Sequence, residues 1–172
     1  MKLYDYNRDN AVNYARKWAL SRNRAYNDYE KYGGDCTNYI SQCLFAGGIP
    51  FDTSGRDMTQ KWYWYSDSAR SPSWTSASAF RRYFMSKQNT QDPKTGLVCQ
   101  FIDKNQLEIG DLVQKKVDGA LTHTMIITGF VYDDNGNVID YLLCQHSDDF
   151  LDLPLSQKVG ELSYIKILGY YK

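Results

Sequence analysis

Apolar positions in the first half of the chain recur at helical spacing, whereas those of the second half run together or alternate as in strands. Over 9–20, Ala11, Val12, Tyr14, Ala15, Trp18 and Ala19 mark one face with Arg and Lys between them, which predicts an amphipathic first helix. A polar, tyrosine-rich segment then leads into Gly33-Gly34. Beyond it Cys36, Tyr39, Ile40, Cys43 and Leu44 predict the apolar face of a second helix, closed by Gly47-Gly48 with Pro50 just after. Residues 51–78 carry Trp62, Trp64 and Trp74 without a period and read as a long irregular excursion. A third helix is expected over 76–86, around Phe80, Tyr83 and Phe84, followed by a loop through Asp92, Pro93 and Gly96.

The second half reads as strands: DLVQKKV, HTMIITGFVY, VIDYLLCQHS and LSYIKILGYY. Asn135-Gly136, between two apolar runs, is a strong hairpin signal. Helices first and strands afterwards imply an α+β fold, with N-terminal helices packed on a C-terminal antiparallel sheet. At 172 residues, with no internal repeat, the chain is expected to be one domain with a real core.

Twenty basic and twenty acidic side chains cancel, which removes any global electrostatic reason to expect nucleic acid or an anionic membrane as partner. No apolar run approaches the roughly 18 residues of a membrane span, and the opening MKLYDYNRDN is too polar for a signal peptide. Aromatics make up 15% of the chain, a richness that suits either a ligand groove or core filling. The cysteines at 36, 43, 99 and 144 form no CxxC pair, which argues against structural zinc. Cys36 and Cys43 on one helix would lie about 10 Å apart, too far for a disulfide.

The candidate chemistry centres on Cys36. A cysteine after Gly-Gly-Asp at the mouth of a helix has Asp35 available as N-cap and unpaired N–H groups that favour a thiolate. A buried structural cysteine fits the same apolar face. His123, at the start of a strand, is the candidate base, and it too has a bland alternative as a satisfied core or surface histidine. A third polar group should fix the imidazole tautomer, and His146 and Asp148 stand at the end of the next strand. Gly110-Asp111 reads as a turn with a solvated acid. No GxSxG elbow, phosphate-cradling loop or compelling carboxylate pair is present.

Four stretches in order, RDNAVNYARKWAL, GGDCTNYISQCLFAGG, LEIGDLVQ and HTMIITG, resemble the bacterial putative amidase-domain family, itself similar to the CHAP and NlpC-like branch of papain-like cysteine peptidases. The resemblance covers most of the chain, and DCTNYISQCL is its most specific block. It implies a single papain-like domain over 1–172 in which a cysteine at a helix N-terminus faces a histidine on the sheet. The residues mapped are Cys36 and His123, with His146 third and Gln145 and Asp148 as rivals. No glutamine precedes the cysteine at the usual papain-like distance; Glu30 stands there instead. The implied activity is hydrolysis of an amide in a peptide or peptidoglycan-like substrate by an extracellular or cell-wall-associated monomer needing no metal or cofactor. A silent glycan- or peptide-binding module and an acyltransferase are the alternatives on the same scaffold.

Overall fold

The computed structural model describes residues 2–88 and 95–172, so Asp92 and Pro93 of the expected loop lie outside the described residues. Among the described residues four helices precede most of the sheet: α1 (Arg8–Trp18), α2 (Cys36–Ala46), α3 (Pro72–Thr75) and α4 (Ala77–Gln88). Seven strands among the described residues form one sheet: β1 (Leu3–Tyr4), β2 (Gly96–Ile102), β3 (Leu112–Val117), β4 (Ala120–Tyr132), β5 (Val138–Gln145), β6 (Phe150–Pro154) and β7 (Glu161–Tyr171). Every strand pairing is antiparallel. The order runs β1-β7-β3-β4-β5-β6, and β2 also pairs with β7. This is the α+β layering that the hydrophobic pattern implies. Strands β1, β2 and β6 are additions to that reading, each short or lacking a clean alternation.

Alternation along β4 divides the core between the two faces of the sheet. Ile126 and its ladder partners Leu112 and Cys144 face the helices and join Tyr39, Ile40, Cys43 and Leu44 of α2. Met125 and Ile127 face the other way, into a smaller cluster with Val113, Leu143 and Tyr141. Asn135 and Gly136 lie in the β4–β5 turn, where Gly136 takes a φ of 81° that suits glycine.

Helix α2 is buried all round instead of on one face: every residue from Cys36 to Leu44 is inside. Its polar side chains are consumed by tertiary partners. Thr37 meets Thr124 at 3.1 Å, Asn38 accepts from the Trp74 indole at 2.9 Å, Ser41 accepts from the Trp62 indole at 3.1 Å, and Gln42 accepts from Tyr14 at 2.7 Å. A buried polar group costs free energy unless it is paired, so these four pairings are what let a polar helix occupy the centre of the molecule.

Two tryptophans of the excursion, Trp62 and Trp74, are therefore core. Trp62 and Trp74 are fully buried, with ring centroids 4.8 Å apart, and Trp64 donates to the Tyr29 hydroxyl at 2.9 Å. Asp111 is likewise not a solvated turn residue. It is fully buried, takes Arg8 at 2.7 Å and the backbone N–H groups of Glu108 and Ile167, and ties α1 to the sheet.

Candidate active site

The N-terminus of α2 abuts the start of β4. The Cys36 thiol lies 3.9 Å from the Thr122 carbonyl oxygen, and the backbone N–H of Thr124 also reaches it. The thiol thus rests against the backbone on both sides of His123. The β3–β4 ladder pairs Lys115 with His123 but Lys116 with Leu121, which leaves Thr122 as an extra, bulged residue. Bulges of this kind re-aim neighbouring side chains. Gly33 and Gly34 lead into Cys36 with φ of 104° and 110°, a left-handed path that favours glycine at both positions.

His123 is partly covered, and its Nε2 is buried without a hydrogen-bond partner of good geometry. The Oε1 of Gln145, on the adjoining strand, is buried and unpartnered in the same sense. Gln145 nevertheless acts on the ring as a hydrogen-bonding neighbour that favours its protonated form. Its amide orientation is fixed, because Nε2 of Gln145 donates to the carbonyls of Ser147 at 3.1 Å and Asp148 at 2.7 Å, leaving Oε1 as the acceptor. Ser147 and Asp148 adopt φ of 61° and 64°, a left-handed pair that turns both carbonyls onto that amide. Such strain in non-glycine residues persists only where the surroundings over-determine it.

His146 is placed elsewhere. Its Nδ1 lies 2.6 Å from Asp35 Oδ2 and its Nε2 lies 2.8 Å from the Trp18 carbonyl oxygen, while the ring stacks on Tyr39 at 3.9 Å. With both nitrogens committed, neither remains for His123 or for the thiol. Of the candidate third residues, Gln145 and, as a charge beyond hydrogen-bond contact, Asp148 act on the imidazole of His123. The sequence named Gln145 only as a rival because nothing in it shows which of two consecutive residues points to which side of a strand end.

Asp35 differs from its expected role as well. Its side chain makes no capping bond to α2. It accepts instead from the Tyr29 N–H at 2.9 Å, from Asn38 at 2.8 Å and from His146, and the Nε of Arg22 stands 3.3 Å away. The first-turn N–H groups of α2 are thus left without a side-chain cap.

Electrostatics favour a neutral pair in the free protein. Burial pushes the Cys36 thiol above its ordinary value, outweighing the donors at Thr124 and Thr37 that stabilise a thiolate. Burial pulls His123 down to about 4, with the positive charges of Lys158 and Lys115 adding to the effect and Gln145 and Asp148 opposing it. The helix N-terminus alone does not acidify this thiol. Cys43, Cys99 and Cys144 are also free and buried, and each is shifted up, chiefly by burial.

A cavity of about 350 Å³ opens on this end of the sheet, lined among others by His123, Gln145, Thr122, Lys115, Lys158 and Glu30. Among the described residues no group of three or more His, Cys, Asp or Glu side chains is arranged to hold a metal ion, and no helix is long and apolar enough to cross a membrane.

Comparison with known proteins gives a family and no worked mechanism. Two uncharacterized proteins of Bacillus subtilis (strain 168) are similar: YhbB, 34% identical over 140 residues, and YjcM, 29% identical over 167 residues. These alignments cover 80% and 90% of this chain but only 40% and 35% of the relatives, so the chain spans well under half the length of either. No solved structure matches. The model of the putative amidase domain, whose name points to amidase-type hydrolysis, matches residues 5–168, nearly the whole chain, and the chain belongs to that family.

Proposed function

We propose that the protein is a cysteine-dependent amidase in which Cys36 is the nucleophile, His123 the general base and Gln145 the residue that orients the imidazole. The observation that carries this reading is the pair of buried, otherwise unpartnered atoms, His123 Nε2 and Gln145 Oε1, beside a thiol seated against the backbone that flanks His123. Buried polar atoms without partners are rare in structures that serve packing alone.

With Nε2–H directed at Gln145 Oε1, Nδ1 keeps its lone pair and can accept the thiol proton. Because thiol and imidazole are both neutral in the free protein, the transfer accompanies attack instead of preceding it. Sulfur bonds to the amide carbonyl carbon as the proton passes to His123. The resulting oxyanion is met by backbone N–H groups of the uncapped first turn of α2, that of Cys36 foremost. Collapse breaks the C–N bond, His123 gives its proton to the departing amine, and a thioester remains. Water then attacks the thioester with His123 as base, the carboxylic acid leaves, and the sulfur recovers the proton.

The resemblance to papain-like enzymes, and through them to cell-wall peptidases, supports a peptide amide of peptidoglycan as substrate and action outside the cell. The test is incubation with bacterial peptidoglycan and its stem peptides, reading new free amines and the mass of the fragments. Wild type should release amine, and Cys36→Ala should release none. Release undiminished in Cys36→Ala would remove the cysteine mechanism, and binding without release by wild type would favour a silent binding module.

A further inference from the structure

We propose that Lys115 and Lys158 form a carboxylate-binding subsite beside His123, so that the amide substrate carries a carboxylate close to its scissile bond. This rests on the amidase reading for the identity of the bond but on separate residues for the recognition. Lys115 is the ladder partner of His123 and so projects from the same face of the sheet, and Lys158 closes the short turn after β6; both line the cavity.

Neighbouring lysines on β3 and β7 are neutralised, Lys116 by Glu161 at 2.8 Å and Lys166 by Glu108 at 3.2 Å. Among the described residues Lys115 and Lys158 make no such ion pair, although the Lys158 ammonium lies over the Phe150 ring, 5.3 Å from its centroid. The cavity's acids do not neutralise them: Glu30 accepts from Ser147 at 2.9 Å and faces Arg22 at 3.5 Å, and Asp148 acts on Lys158 only as a charge beyond ion-pair contact. The two ammonium groups also repel each other, and each disfavours a proton on His123. Two cations without an acid partner lining one partly closed cavity, only one of them resting on an aromatic face, are a standing cost that an anion relieves.

A bound carboxylate would do more than anchor the substrate. By cancelling the positive field on His123 it would raise the basicity of the imidazole, so that the group accepting the thiol proton strengthens only when the right substrate is in place. The cavity's volume suits a small ligand with one charged end.

Alkylation of Cys36 by iodoacetate, which carries a carboxylate, and by neutral iodoacetamide measures this directly when both rates are read by peptide mass spectrometry at low salt. The iodoacetate-to-iodoacetamide ratio at Cys36 should exceed that of free cysteine by about tenfold, the order set by two partly buried charges. It should fall to the free-cysteine ratio in the Lys115→Met, Lys158→Met double variant and below it in Lys158→Glu. A ratio that is the same in wild type and double variant overturns the subsite. Should Cys36 react with neither reagent, the nucleophile assignment falls while the subsite is decided by a second measurement. In Cys36→Ala, the His123 ring resonances are followed by NMR during titration with N-acetylglycine. A saturable shift toward the protonated form, absent when both lysines are Met, supports the subsite, and no saturable shift overturns it.

Discussion

The chain's two histidines sit at the same end of the sheet in opposite circumstances. His146 is almost wholly buried, and each of its ring nitrogens has a partner: Asp35 on one side and the Trp18 carbonyl on the other, with Tyr39 stacked beneath. His123 lies in a cavity wall with one nitrogen buried and unpartnered, next to a glutamine whose acceptor is equally unclaimed. The satisfied ring has no free nitrogen for a reaction and holds the fold. In the proposed mechanism the unsatisfied ring is the one that reacts. On that proposal, what separates the structural histidine from the chemical one is the completeness of the hydrogen bonds and not the residue type.

The largest test of the contrast is loss of turnover without loss of fold. Cys36→Ala and His123→Ala should each bring amide hydrolysis to background, a drop of at least about 10³-fold, while thermal unfolding shows a cooperative transition in both. If His123→Ala instead fails to fold, the ring is structural after all.

The converse variant should show the converse result. His146→Ala takes one hydrogen-bond partner from Asp35 and leaves a cavity where the ring stacked on Tyr39, and truncating a buried ring to Ala costs about 3–5 kcal/mol, which urea unfolding should register. Arg22, Asn38 and the Tyr29 N–H still reach Asp35, so the remaining folded fraction should retain a reactive thiol, with Cys36 alkylation as the readout. A stability change under about 1 kcal/mol would mean that the Asp35–His146 contact is redundant.

Gln145→Ala should act between these extremes. Losing the acceptor frees the imidazole to rotate, and misplacement of a catalytic group on the ångström scale costs about 10²-fold, expressed in kcat more than in KM. Gln145→Glu should recover part of the loss, since a carboxylate can accept the same N–H, and its acid limb should move up as the ring is held more strongly protonated. Equal activity in Gln145→Ala and wild type would return Asp148 to consideration.

Much of this was legible in the sequence, and the exceptions share a cause. Helical period and strand runs placed α1, α2, α4, β3, β4, β5 and β7 because each buries a periodic face. The Gly-Gly-Asp-Cys turn and the strand-borne His123 mark the two ends of the proposed site in the sequence itself. What stayed hidden depends on partners remote in sequence. Trp62 and Trp74 lack local periodicity because their task is to satisfy Ser41 and Asn38 on α2. Asp35 looked like a cap because caps are local, yet its bonds go to Tyr29, Asn38 and His146. Gln145 and His146 are adjacent in sequence and serve opposite faces, a distinction set by where β5 ends and by the left-handed turn at Ser147 and Asp148.

The finest test of the contrast is how stability responds to acid. His123 titrates at about 4 in the folded protein against 6.5 in the unfolded chain, because burial and the two lysines oppose its charge. Between those values the unfolded state binds the extra proton, so stability falls as pH drops from 6.5 toward 4, and the loss is complete below 4. The shift sets a ceiling of about 3 kcal/mol, reduced by solvent screening because the ring is only partly covered. His123→Gln removes the group, so the difference between wild-type and variant urea unfolding free energies should change across this interval and be flat above pH 7. Groups that titrate in both proteins, such as buried Asp111, cancel in that difference. A difference that is flat from pH 7 to 4 would show a ring titrating as freely folded as unfolded, which would remove both the buried neutral base and the lysine field that the site depends on.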